Sequence, residues 1–197
     1  MAMLFSTVVD AKSPFTAAHS LGVARLSRLL GEFDGLAPDT LDQLEIAGLM
    51  HDLGKLQVPD DILDKPGPLS ESERLVMERH SFETYQILSR IPGLHDVAAW
   101  AAYHHETLDG RGYPYSLGGG GLPREARIVA VADVFQAMAQ NRPYRASMPA
   151  LLILENLQSR ARNGKLDAGV VALVERHLDA CWQAAGAAEA DALTPTP

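Results

Sequence analysis

Apolar residues recur along this chain at helical spacing. His19, Val23, Leu26 and Leu30 stand at i, i+4, i+7 and i+11, which is one face of a helix. Leu44, Ala47 and His51 repeat the spacing, as do Val76, Met77, His80, Thr84 and Ile87. A fourth stripe runs through Val97, Trp100, Ala101 and His104. A fifth runs through Ala126, Val129, Ala130, Asp133 and Ala137. Two further helices are predicted near 148–159 and 167–183. Alternating strand patterns are scarce, so the fold class predicted is all-α, a bundle of about seven or more helices.

Breakers separate these segments. Ser-Pro-Phe precedes the first long helix, with Thr16 as its expected cap, and Leu-Ala-Pro-Asp-Thr divides the first two. The connection VPDDILDKPGPLSESE ends in Ser70 with Glu73 three residues on, the spacing of a capping box. A second long connection, GRGYPYSLGGGGLPRE, carries four consecutive glycines, Gly118 to Gly121, which point to a mobile segment. Connections this long inside a compact domain are often functional. One domain is expected over residues 8–183. Residues 184–197 are expected to form a flexible tail, because GAAEADALTPTP has little to bury.

Composition narrows the function. The chain has 197 residues, a formal charge of −8 and one cysteine, Cys181, which excludes a disulfide framework within the chain. The longest wholly apolar run, Val97 to Tyr103, is seven residues, against the ~20 a membrane span needs. The start, MAMLFSTVVD, lacks a basic region followed by an apolar core. The cytoplasm is the expected compartment, with no membrane insertion. An acidic chain is not expected to coat DNA or RNA, although a local cluster of cations could still bind a small anion.

Each of the five stripes carries a polar, metal-competent residue on its apolar face. These are His19, His51 with Asp52 beside it, His80, His104 with His105 beside it, and Asp133. A single buried histidine is more often a hydrogen-bonded core residue than a ligand. Five helices each bringing such a residue inward need another account, because buried polar groups are costly unless paired or ligated. His95 and His177 are assigned to ordinary surface or helix-end positions. Imidazole and carboxylate together suit first-row transition metals, and these candidates exceed the needs of one ion. Two ions about 4 Å apart are the usual equipment for attacking a phosphoester. Spacing alone therefore indicates a helical dinuclear metal site with hydrolytic chemistry.

The motifs HDLGK at 51–55, HHE at 104–106, DGRGYP at 109–114 and NRPYR at 141–145 resemble the HD-GYP family. This is the branch of HD-domain phosphohydrolases that degrades cyclic di-GMP. The likeness extends over about residues 8–180. It implies a metal-dependent phosphodiesterase giving linear pGpG, and possibly GMP, in bacterial signalling. It implies one metal held by His19, His51, Asp52 and Asp133, and a second held by Asp52, His80, His104 and His105. Iron or manganese is expected, with zinc, nickel or cobalt as alternatives. Lys55 falls where the family places a lysine near the scissile phosphate, and Asp52 and Lys55 are the expected catalytic residues. Arg142 and Arg145 match basic positions that meet substrate, and Tyr113 matches the loop tyrosine beside the site. Cyclic di-GMP is the expected partner, with protein partners possible through the GYP loop.

The chain also departs from the family pattern. Thr107 and Leu108 stand where many relatives have Arg and Trp, and Gln136 stands where an acidic residue is common. Some relatives hold a third ion with a glutamate four residues before the first histidine. Here that position is Phe15, whose ring cannot ligate, so two ions per chain are expected. Two other readings stay open. One is a module that binds a cyclic dinucleotide or a partner without turnover. The other is an HD hydrolase of another cyclic dinucleotide or of mononucleotides.

Overall fold

The computed structural model describes residues 16–141 and 147–192. Phe15, Arg142 and Arg145 lie outside these described residues. The described chain is helical, without a strand. Its α-helices are α1 (Thr16–Phe33), α2 (Pro38–Met50), α3 (Asp60–Leu63), α4 (Glu71–Leu88), α5 (His95–Ala102), α6 (Arg124–Ala139), α7 (Ala150–Arg162), α8 (Ala168–Arg176) and α9 (Leu178–Ala192). Short 3-10 turns occupy Leu53–Gln57 and Gly119–Gly121. No helix among the described residues is long and apolar enough to cross a membrane.

Local chemistry accounts for many of the boundaries. Helix α1 stops because Gly35 takes φ +78°, letting the Leu36 N–H reach back to the Gly31 carbonyl at 3.1 Å. Pro38 then opens α2, where a missing N–H costs nothing. The capping box at α4 is complete. The Glu73 N–H donates to Ser70 Oγ at 3.3 Å, and the Ser70 N–H donates to Glu73 Oε2 at 2.7 Å. Thr16 is already helical rather than the cap.

The core is built around α1 and α6. Val23, Leu26 and Leu30 of α1 are wholly buried, and α1 packs along α2, α6 and α9. Helix α6 is enclosed on more than one side, for Ile128 to Asp133 are buried consecutively. A helix apolar nearly all round belongs in the interior. Asp133 is the exception in that run, so its carboxylate sits in the core itself. Each fully buried Leu or Phe here contributes about 2–3 kcal/mol of transfer free energy.

Two expectations are corrected. The helix predicted at 167–183 is two helices, α8 and α9, interrupted at His177, whose ring stacks on Phe33 at 3.7 Å between centroids. Helix α9 also continues to Ala192, past the expected boundary at 183. The alanine-rich Ala184-Ala-Gly-Ala-Ala-Glu run favours helix over coil.

Candidate metal centre

His51 is the C-cap of α2, and Asp52 stands between α2 and the 3-10 turn that carries Lys55. His104 and His105 follow directly after α5, whose C-cap is Tyr103. These four residues lie at helix C-termini, where unpaired carbonyls favour a nearby cation. His19 comes from the first turn of α1, His80 from the middle of α4 and Asp133 from the middle of α6. All seven side chains converge. His19, His51 and Asp133 form one group, His51, Asp52 and His104 another, and His80, His104 and His105 a third. Within each group the ligand-type atoms lie within 4.8 Å of one another.

The hydrogen bonds orient the rings. His51, His80 and His104 each place Nδ1 2.7 Å from the carbonyl three residues earlier, at Gly48, Met77 and Ala101. A carbonyl only accepts, so each Nδ1 carries the proton and each Nε2 turns inward. Burial pushes His80 below its ordinary value and His104 well below it, so both are neutral. Their Nε2 atoms face each other at 3.5 Å, lone pair toward lone pair, with the Ser81 hydroxyl 3.2 Å from His80 Nε2. Two acceptors at that distance repel unless a cation lies between them. His105 is also held neutral, pushed down to about 3 by burial. His19 Nδ1 is buried with no hydrogen-bond partner, while its Nε2 lies 3.1 Å from Asp133 Oδ1.

The carboxylates are charged. Burial opposes ionisation of Asp52, but Lys55 and His51 outweigh it and hold the carboxyl well below its usual range. Asp52 Oδ2 lies 2.6 Å from Lys55 Nζ and 3.3 Å from His51 Nε2, and Oδ1 lies 3.4 Å from His80 Nε2. Asp52 thus touches both halves of the cluster. Burial likewise opposes the Asp133 charge, and His19 first, with His51, overcomes it. Imidazoles that turn Nε2 inward, interleaved with two carboxylates, are a donor set suited to divalent first-row metals.

A threonine supports this arrangement from behind. Thr84 Oγ1 accepts the Gly54 N–H at 2.9 Å and donates to the His51 carbonyl at 3.1 Å. The turn bearing His51 and Asp52 is thereby fastened to the helix bearing His80. The sequence pattern placed Thr84 on the right face but did not reveal that role.

The loop from Thr107 to Leu122 forms a lip over one side of the centre. Its ends meet at a bridge between Asp109 and Gly118, and the Asp109 N–H donates to the Gly164 carbonyl at 2.8 Å. Gly110 needs its missing side chain, since its φ is +73°. Asp109 accepts the Arg111 N–H at 3.1 Å, so it starts the turn. The Tyr113 ring lies 4.7 Å from the His105 ring and 6.2 Å from that of His80, between centroids. Burial raises the Tyr113 phenol well above its usual range, so it stays protonated. The glycine run forms a 3-10 turn whose Gly119 carbonyl accepts from Arg127. Leu108 packs on Gly119 inside the lip. Gln136 is fully buried against Gly22, and neither polar atom of its amide has a partner. Glu106, the third residue of the HHE motif, is buried and was not among the expected site residues.

The chain matches the HD domain family over residues 3–170. It is 43% identical over 183 residues to the 3′3′-cGAMP-specific phosphodiesterase 1 of Vibrio cholerae serotype O1, covering 93% of this chain and 42% of that protein. It is 42% identical over 132 residues to the cyclic di-GMP phosphodiesterase response regulator RpfG of Xanthomonas campestris pv. campestris, covering 66% of this chain and 35% of that one. The chain therefore spans less than half the length of these two relatives. Its fold is similar to that of Bd1817, an HD-GYP-type protein from Bdellovibrio bacteriovorus, with a TM-score of 0.63 at 20% identity over 82% of this chain and 51% of that one. The matched profile, these relatives and the helical frame agree with the motifs read from the sequence: the chain belongs to the HD domain family, among its HD-GYP members.

Proposed function

We propose that this chain hydrolyses a 3′–5′ phosphodiester bond of a cyclic dinucleotide with two divalent transition-metal ions. The observation that carries this reading is the pair of inward lone pairs on His80 and His104, set in a buried cluster that Asp52 spans. His19, His51, Asp52 and Asp133 would hold one ion, and Asp52, His80, His104 and His105 the other. Such a pair supplies a nucleophile at neutral pH and a clamp for phosphoryl oxygens. Iron or manganese suits the mixed nitrogen and oxygen donors.

The chain's own groups do the rest. Lys55 holds its ammonium at the Asp52 carboxylate and is half-buried, so it can meet charge that develops on a phosphoryl oxygen. The protonated Tyr113 phenol offers a donor on the lip side. Arg142 and Arg145 are proposed to contact substrate from the segment after α6. Between two guanine-containing substrates, 3′3′-cGAMP stands ahead. One relative named for it is 43% identical over 183 residues, whereas one named for cyclic di-GMP is 42% identical over 132.

The test is direct. Protein loaded anaerobically with Fe(II) or Mn(II) is incubated with 3′3′-cGAMP, cyclic di-GMP and dNTPs, and the products are separated by chromatography. A linear dinucleotide should form from 3′3′-cGAMP and more slowly from cyclic di-GMP. Cleavage of dNTPs alone would overturn the substrate class. Metal-loaded protein that binds cyclic dinucleotides without turnover would mark a binding module instead.

A further inference from the structure

We infer that Glu106 is the positioning residue of the lip, holding Tyr113 against the metal centre so that the substrate-facing wall is formed in advance. Glu106 is 3% exposed, and both of its carboxylate oxygens are engaged by the loop. Oε1 accepts the Tyr115 N–H at 2.7 Å, and Oε2 accepts the Leu117 N–H at 2.9 Å. Hydrogen bonds from backbone N–H groups to an ionised acceptor are among the stronger ones in proteins. Here they replace the ladder that a loop without strands lacks.

The residues around Glu106 turn this clamp into a mount for Tyr113. The Glu106 N–H donates to the Tyr103 carbonyl at 2.9 Å, so the carboxylate stands on the end of α5. The Tyr113 N–H donates to the His105 carbonyl at 3.3 Å. A Cβ on Gly112 would collide with the backbone of His105, Glu106 and Thr107, so the loop lies flat on its own root. Tyr113 is thus pinned on both sides, at its own N–H and two residues later by Glu106. The far limb is held separately, by Arg127 on the Gly119 and Leu122 carbonyls. Glu106 meets no reacting group in this arrangement and acts through Tyr113.

The side-chain chemistry is specific. Glutamine has the same shape but only one acceptor oxygen, and its amino group would confront one of the two N–H donors. Glu106→Gln therefore breaks half of the clamp without changing volume. The candidate metal ligands come from α1, the α2 turn, α4, α6 and the end of α5, and none lies within residues 113–117.

The experiment uses the metal-loaded 197-residue chain, with Glu106→Gln as the main variant and Glu106→Ala as the second. Amide hydrogen exchange at Tyr115 and Leu117 should accelerate about tenfold or more in Glu106→Gln. Metal content should match the wild type. Turnover of the cyclic dinucleotide should fall about tenfold, while turnover of bis(p-nitrophenyl) phosphate, too small to need the lip, stays within about twofold. Unchanged exchange would overturn the inference, as would an equal loss on both substrates or loss of metal. The cyclic-dinucleotide arm rests on the proposed function. If the wild type cleaves only the small ester, that reading fails by itself, and the exchange arm still decides the role of Glu106. If Glu106→Ala does not fold, the isosteric variant carries the test.

Discussion

A side chain on Gly54 would fall on the His80 carbonyl oxygen, with the backbone of Thr84 just beyond. The turn that carries Asp52 and Lys55 therefore lies directly on the helix that carries His80. Neither backbone can yield without moving a residue of the cluster. Gly54→Ala should destabilise the protein by about 3 kcal/mol, the upper part of the range for overpacking. For a domain this size that lowers Tm by roughly 6–12 °C. Metal content should fall with it. Calorimetry and elemental analysis of the purified variant check both, and an unchanged Tm would mean that the two segments are not in contact.

Asp52 and Lys55 should separate in their effects. Asp52 lies against both halves of the cluster, so Asp52→Ala should remove turnover and reduce bound metal. Lys55 meets the site from its half-buried edge. Lys55→Ala should keep the metal and lower kcat about a hundredfold, the usual cost of one donor to a charge developing in the transition state. A change confined to KM would assign Lys55 to ground-state binding.

Metal stoichiometry follows from position 15. Phe15 lies outside the described residues, but its identity puts a phenyl ring where the family resemblance implies the carboxylate of a third ion. Elemental analysis should return two ions per chain. Phe15→Glu then tests whether one carboxylate recruits another. Chelation should lower Tm, since it leaves the lone pairs of His80 and His104 opposed in the interior. A chelator without effect on Tm, or three ions in the wild type, would contradict this.

Acid stability should depend on Arg124. Its guanidinium grips both oxygens of Asp34 at 2.7 and 2.8 Å and reaches Asp167 at 2.9 Å, joining the start of α6 to the end of α1 and the cap of α8. Hydrogen bonds from Arg124 hold the Asp34 carboxyl below its ordinary value. For Asp167, burial works the other way but Arg127, the Val170 N–H and Arg124 prevail. A carboxyl whose pKa is lowered by folding stabilises the protein above its unfolded pKa, and that contribution is lost as pH falls through the folded one. Arg124→Met should cost about 2 kcal/mol at pH 7. Below about pH 4 the difference in Tm between variant and wild type should shrink as both carboxyls protonate. A constant difference down to pH 3 would show that Arg124 acts through packing.

The sequence by itself determined the helical class, the faces that carry the candidate ligands and the cap at Ser70, because each of these is a local property. Helical periodicity places His19, His80 and Asp133 inward whatever their neighbours, and Ser70 with Glu73 closes its box within one turn. Tertiary structure decided the rest. The Gly54–Thr84 bond spans 30 residues, and Arg124 reaches Asp34 across 90, so no spacing rule marks them. Glu106 stands in the HHE motif, but only the loop that folds back and puts two N–H groups on it shows what its carboxylate meets. His177, where the predicted helix breaks, stacks on the Phe33 ring of α1, a partner far away in the sequence. Periodicity records which face of a helix turns inward, and only packing sets what that face meets there.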